Sequence, residues 1–289
     1  MFGEIAEDAI KAEIVNMLKK QVFEPVRVSD LSRQERKSII RSSIFLKEKF
    51  KPNGAFDKLK ARLVADGSMQ DRNIYESMTS PTVATMSVMC LLAISAMQKR
   101  RISTIDIGSA YLNAVLTSDV VMMMDTELAL LVVAVWPQLK VYLDEKGRAY
   151  VRLKKALYGC IESAKLWYLE LKKALESFGY VANAEDTCVF NKMSKGLQTT
   201  LCIHVDDILC ASADLAEHTD LKRRLEDKFK EINYELSTKS SFLGMTIDSS
   251  DPGAFAITMR GFITELLEGI CSSWACYEPS KQQYVRLHC

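Results

Sequence analysis

Along residues 4–20 the apolar positions Ile5, Ile10, Ile14, Met17 and Leu18 recur at helical spacing and predict a leading amphipathic helix. The period then changes. Residues 43–50 and 58–65 alternate on either side of Lys51-Pro52-Asn53-Gly54, a turn signal that predicts a hairpin. Ser80-Pro81-Thr82 places a proline at the first turn of an almost wholly apolar stretch running to Met97. That stretch predicts a helix buried under a sheet, its methionines filling core. A strand over 102–107, a helix over 108–116 and a strand over 119–124 follow, and residues 141–153, broken at Asp144-Glu145-Lys146-Gly147, predict a second hairpin. A long helix runs from beyond Gly159 to about Phe178, with Gly179 as its C-terminal cap.

Val189-Phe190 and residues 199–204 read as strands entering an acidic turn, and residues 208–211 read as the return strand. Residues 214–230 predict a helix with Leu215, Leu221, Leu225 and Phe229 on its core face. Residues 241–248 predict one more strand, paired with 254–258. The alternation of elements predicts an α+β fold with a mostly antiparallel sheet backed by helices.

At 289 residues and 48% hydrophobic content the chain can bury a substantial core. The net charge of +1 does not mark a nucleic-acid binder, but residues 33–62 hold ten Lys or Arg against three acids. A solvated surface gives the same pattern. Eight cysteines without a Cys-x-x-Cys pair, and only three histidines, argue against zinc. Cys90, Cys188, Cys202 and Cys210 lie among apolar neighbours and are expected to be small buried hydrophobes in a reducing, intracellular and cytoplasmic setting. There is no secretory signal pattern, and the apolar runs are too short for a bilayer, so no membrane partner is expected.

The candidate chemistry lies in Asp206-Asp207, two carboxylates between the apolar runs of a tight hairpin. An ordinary Asp-rich turn gives the same local pattern. A third acid, Asp106, ends a strand one hundred residues upstream and precedes Gly108-Ser109-Ala110-Tyr111-Leu112-Asn113. A strand-end Asp facing a hairpin Asp pair suits two hard divalent cations and an in-line phosphoryl displacement.

These residues resemble the reverse transcriptase domain of copia-type long-terminal-repeat retrotransposons. His204-Val205-Asp206-Asp207 and Asp106-Ile107-Gly108-Ser109-Ala110-Tyr111-Leu112-Asn113 match its two acidic motifs. Lys60-Ala61-Arg62-Leu63-Val64-Ala65, Ser80-Pro81-Thr82-Val83, residues 153–159, Leu166-Trp167-Tyr168 and Phe242-Leu243-Gly244 follow in the family's order. The resemblance implies a polymerase right hand. Fingers, leading helices and the first palm helix would occupy 1–100. The palm would occupy 101–270, with a fingers insertion near 140–160, leaving 271–289 as an unassigned tail and the thumb truncated or absent.

It further implies RNA-directed DNA synthesis, with Asp106, Asp206, Asp207 and the Ile107 backbone as ligands of two Mg²⁺ ions, or of Mn²⁺ in their place. Lys60, Arg62, Tyr111, Tyr158 and Gly159 would bind the deoxynucleoside triphosphate, and Phe242, Leu243, Gly244 and Met245 would grip the primer on an RNA or DNA template. A homodimer is allowed. Three departures from the family pattern stand out: His204 in place of Tyr, Asp66 in place of Lys, and Ile161-Glu162 in place of Lys-Gln. With the missing thumb, they leave a second expectation, an inactive retrotransposon-derived remnant that binds nucleic acid or only folds.

Overall fold

The computed structural model describes residues 3–50, 56–72, 79–251, 253–264 and 266–267. The expected turn at 51–54 and the tail over 271–289 lie outside these. In chain order the elements are α1 (Gly3–Lys19), β1 (Phe23–Val26), α2 (Arg33–Lys37), β2 (Ile40–Phe50), β3 (Phe56–Ala65), α3 (Thr85–Met97), β4 (Arg101–Ile107), β5 (Val121–Met124), α4 (Thr126–Val135), β6 (Ala149–Leu153) and α5 (Ser163–Ser177). They continue with β7 (Val181–Ala182), β8 (Val189–Ser194), β9 (Leu197–His204), β10 (Asp207–Ser212), α6 (Leu215–Phe229), β11 (Ile232–Glu235), β12 (Lys239–Phe242), β13 (Met245–Asp248) and β14 (Ala256–Thr258).

Three sheets result. A six-stranded sheet in the order β11-β4-β10-β9-β8-β7 is antiparallel throughout, and α3 and α6 pack on it. A five-stranded sheet, β1-β6-β5-β2-β3, contains one parallel pair, β2 with β5, and takes strands from both sides of residue 100. The third, β12-β13-β14, is small. One continuous buried cluster runs from Ile14 and Met17 of α1 to Met245 and Ile247 of β13. The chain is therefore α+β with largely antiparallel sheets, as the alternation of periods predicts.

The structure corrects several local expectations. The apolar helix begins at Thr85, not at Pro81, because its first turn is capped from across the chain: the Asp186 carboxylate accepts from Ala84 N–H (3.0 Å) and Ser87 Oγ–H (2.6 Å). This helix buries Val88, Leu91 and Leu92 but leaves Met86 and Met97 71% and 84% exposed, and Cys90 is exposed too. An apolar helix on the outer side of a sheet has only one face to bury. Residues 108–116 form no α-helix. Only a 3₁₀ turn over Ala110–Asn113 forms, since Ser109 is left-handed (φ 52°) and Leu116 N–H is drawn to the Lys154 carbonyl.

The hairpin expected over 141–153 has one strand, β6. Its other arm is the end of a 3₁₀ run after α4, a helix started by Asp125, whose side chain accepts from Leu128 N–H at 2.9 Å. The strand expected over 241–248 folds back on itself, because Leu243 (φ 52°) and Gly244 (φ 73°) form the turn between β12 and β13. On α6, Leu215 is exposed. His218 is buried in its stead and shares a 2.7 Å hydrogen bond with Ser103 Oγ.

Candidate active site

The acidic hairpin is built by register. His204 of β9 pairs with Asp207 of β10, leaving Val205-Asp206 as a two-residue turn with Val205 left-handed (φ 56°). A valine in that conformation is strained, and the buried Trp167 of α5 holds it by donating its indole N–H to the Val205 carbonyl at 2.7 Å. On the other side of β10 lies β4, in the register Asp207 opposite Asp106, and Ile107 N–H donates to the Asp206 carbonyl at 3.0 Å. Next to β4, β11 sets Asn233 opposite Asp106, and Asn233 Nδ2 donates to Asp106 Oδ2 at 2.9 Å. Adjacent strands thus bring Asp106, Asp206 and Asp207 to one end of the central sheet.

Their charges are poorly compensated. Burial raises Asp206 above the usual carboxylate range and the Asp106 charge adds to this, while its own backbone, Arg62 and Lys60 pull it down. Asp207 is pushed up to about 6, first by burial and then by the charges of Asp206 and Asp106. An acid that binds its proton more tightly when folded makes the fold lose stability as pH rises from its unfolded value of 3.8 to about 6. Asp207 is only partly buried and solvent screens it, so Asp207→Asn is expected to stabilise the chelator-treated protein at pH 7 by well under the roughly 3 kcal/mol of the unscreened shift, an advantage that disappears below about pH 4. Denaturant unfolding of both proteins at pH 4 and pH 7 measures it.

The residues expected to bind nucleotide gather beside the acids. Tyr111, on the 3₁₀ turn after β4, packs its half-buried ring 4.5 Å from that of Tyr158, and the Arg62 guanidinium lies 4.8 Å over the Tyr158 ring. Burial is the main cause that raises both tyrosine hydroxyls, Tyr158 to about 12, so both stay protonated. Gly159 takes φ +90°, and Tyr158 O accepts from Ala65 N–H at 2.8 Å. A Cβ on Gly159 would meet the Ala65 carbonyl oxygen at 1.9 Å. Gly159→Ala is expected to cost more than about 1 kcal/mol of stability and to separate Tyr158 from Arg62, read as a lower unfolding midpoint.

Lys60 and Arg62 belong to a basic face on the β2–β3 hairpin, where Lys47 stands opposite Lys60, Lys49 opposite Lys58, and the exposed Phe45 opposite Arg62. Burial and the neighbouring cations Lys47, Lys60 and Arg62 pull the Lys49 amine down. Like charges directly across strands repel, so this face favours an anionic ligand. On the far side of the acids, Asp106, Asp207, Asn233, Tyr234, Ser241 and Phe242 line a cavity of about 200 Å³. The expected primer-grip residues thus divide. Phe242 and Met245 are buried and pair directly beside the turn, Phe242 reaching the acid cavity, while Leu243-Gly244 form the tip of the hairpin.

Two of the unusual residues have local partners. Glu162 is buried and accepts from Thr117 Oγ1 (2.9 Å), Ser118 N–H (3.1 Å) and Ser118 Oγ. Asp66 accepts from Ser68 N–H and Oγ and caps a 3₁₀ turn. The third, His204, keeps a buried Nδ1 without a hydrogen-bond partner among the described residues. Sequence reasoning missed the role of Asn233, whose only signal is an amide in a strand, and gave Trp167 no role beyond its motif.

An antiparallel sheet carrying an acid pair on a two-residue hairpin, next to a strand-end acid, is the architecture of a polymerase palm. The chain matches the family described as reverse transcriptase (RNA-dependent DNA polymerase) over residues 24–281 and belongs to it. It is 29% identical over 231 residues to the retrovirus-related Pol polyprotein from transposon RE1 of Arabidopsis thaliana, covering 78% of this chain and 14% of that one. The Pol polyprotein from Arabidopsis transposon RE2 is 31% identical over 180 residues (61% and 11%). The Ty1-DR1 Gag-Pol polyprotein of Saccharomyces cerevisiae is 28% identical over 273 residues (90% and 14%). These are copia-type elements, in agreement with the order of motifs, and the chain spans only 11–14% of their length. Among solved structures, a foamy viral protease–reverse transcriptase in complex with double-stranded DNA aligns with TM-score 0.45 and 15% identity, covering 90% of this chain and 36% of that one. A truncated apo telomerase from Candida tropicalis aligns with TM-score 0.45 and 12% identity (88% and 60%). Among the described residues no helix is long and apolar enough to cross a membrane.

Proposed function

We propose that the chain is the catalytic part of an RNA-directed DNA polymerase, adding deoxynucleotides to a primer 3′-hydroxyl on an RNA or DNA template. The observation that carries this reading is the pairing of Asp106 with Asp207 beside Asp206, three carboxylates held together with too little positive charge to balance them. In this reading β2–β3 belongs to the fingers, the six-stranded sheet to the palm and β12–β13 to the primer grip.

The donor set is all oxygen, as Mg²⁺ or Mn²⁺ requires, and two of the carboxylates gain from a neighbouring cation, so the chemistry of the donors, though not their spacing as they stand, fits such ions. Asp106, Asp206, Asp207 and the Ile107 carbonyl would hold them. Bound metal would supply charge neutralisation for the attacking and leaving oxygens of the displacement. The chain's own groups do the rest. Lys60 and Arg62 face the triphosphate, Tyr111 lies under its sugar, Tyr158 and Gly159 shape the floor, and the β12–β13 turn holds the primer end. Arg62→Ala is expected to raise KM for deoxynucleoside triphosphate about tenfold, by loss of a charge-assisted contact, with little change in unfolding. Steady-state kinetics on a fixed primer–template reads it.

Two observations favour a second reading, a nucleic-acid-binding remnant without chemistry. Asp106 Oδ2 is engaged by Asn233, and among the described residues no three acidic, histidine or cysteine side chains converge closely enough to hold an ion as they stand. Primer extension on a homopolymer RNA template, with Mg²⁺ and with Mn²⁺, separates the two. Extension supports the polymerase, and binding without extension under either metal supports the remnant.

A further inference from the structure

The N-terminal helix meets the nucleotide site at a point that neither the motifs nor the reading above uses. Asn16 of α1 donates through Nδ2 to Ser109 Oγ at 3.1 Å, across 93 residues of sequence, in a partly buried contact. Ser109 stands three residues after Asp106 and two before Tyr111. Its backbone is left-handed (φ 52°), a conformation that is strained for a serine and persists only where neighbours enforce it. From Ser109 the geometry passes directly to the 3₁₀ turn: its carbonyl accepts from Leu112 N–H (3.0 Å) and from Asn113 Nδ2 (3.3 Å), and Tyr111 lies inside the turn with its ring against Tyr158.

Asn16 itself is fixed. Ile14 and Met17 on either side of it are fully buried, and α1 packs on β3, the strand that carries Lys60 and Arg62. A second link reaches the same segment. Lys20, just past α1, pairs with Glu231 at 3.6 Å, and the Glu231 carbonyl accepts from Gly108 N–H at 2.8 Å. One rigid element therefore contacts both the cation-bearing strand and the turn that carries the ring.

We infer that Asn16 is a positioning residue for nucleotide selection: its hydrogen bond to Ser109 sets the turn that aims Tyr111 at the sugar. The inference rests on the polymerase reading, and its effect runs through Ser109, to which Asn16 is hydrogen-bonded. Removal of the bond frees the turn without removing any group that would touch the triphosphate.

The test uses the full chain with Asn16→Ala, Ser109→Ala and the double variant on one primer–template. The expected result is a rise of about fivefold to tenfold in KM for the deoxynucleotide, with kcat within about twofold and a larger ribo-to-deoxy ratio of catalytic efficiencies. The double variant should behave like either single one, because both remove the same bond. A merely structural role would lower the unfolding midpoint and leave KM and the sugar ratio at parent values. That outcome, or effects of the two single changes that multiply in the double variant, overturns the inference. Hydrogen exchange over residues 108–113 is read in the same proteins and needs no activity. Faster exchange confined to that segment in Asn16→Ala is expected, and unchanged exchange there overturns the inference even if the parent extends no primer. Failure of the parent to extend, with the exchange result as expected, contradicts the polymerase reading alone.

Discussion

Asp206→Asn is expected to fold, to bind primer–template as the parent does, and to extend primers at least about 10³-fold more slowly. In the proposed reading the loss is large because the carboxylate would serve as a metal ligand, and a misplaced ion forfeits several kilocalories of transition-state stabilisation, each 1.36 kcal/mol or so being a factor of ten. Folding survives for a separate reason. Asp206 lies in the two-residue turn, and the bond that ties it to β4 is made by its backbone carbonyl to Ile107 N–H, which an asparagine keeps. Its carboxylate is raised by burial and by Asp106, so neutralising it removes repulsion in the metal-free protein. Circular dichroism, primer–template binding and single-turnover extension on one preparation separate the three statements. Parent-rate extension by Asp206→Asn would remove it from the chemistry.

The second large effect concerns sugar choice. Tyr111→Ala is expected to retain extension with deoxynucleotides and to raise the efficiency of ribonucleotide addition relative to deoxynucleotide addition by on the order of 10², the scale on which a tight apolar site rejects one small group. Two features support this proposal for Tyr111: the turn that begins directly after the acid strand, and the Tyr158 ring against which it rests at 4.5 Å. A tyrosine filling core behind a helix would be fully buried. Tyr111 is half-buried, its hydroxyl raised chiefly by burial and next by the charge of Asp206, so it lies within electrostatic reach of the acids. The check is the ratio of catalytic efficiencies for a ribo- and a deoxynucleotide on one primer–template. An unchanged ratio in a stably folded variant would return Tyr111 to a packing role.

The acids were legible in the sequence because each ends or joins an apolar run, and a charge at the border of a strand is conspicuous. The β2–β3 and β9–β10 hairpins and the α5 and α6 helices were legible for a similar reason, since one period persists over many residues and a turn signal or capping residue closes it. What escaped depends on partners remote in sequence. The start of α3 is set by Asp186, about one hundred residues away, so a local proline signal pointed to the wrong residue. The chain after Asp106 reads as a helix because its residues permit one. Ser109 instead turns left-handed, and Leu116 is pulled to Lys154. The strand over 241–248 reads as continuous until Leu243-Gly244 take positive φ together. For Asn233, Trp167 and the pairing of Arg62 with Tyr158, the contact exists only once distant strands and helices are in register.

The central claim is that Asp106, Asp206 and Asp207 form one two-ion site, and counting bound Mn²⁺ by electron paramagnetic resonance tests it most directly. The parent chain, on a chain-terminated primer–template with the next complementary deoxynucleotide, is predicted to bind two ions per chain, and Asp106→Asn fewer than one at the same free Mn²⁺. Equal Mn²⁺ binding by the two proteins, or none by the parent, would contradict it.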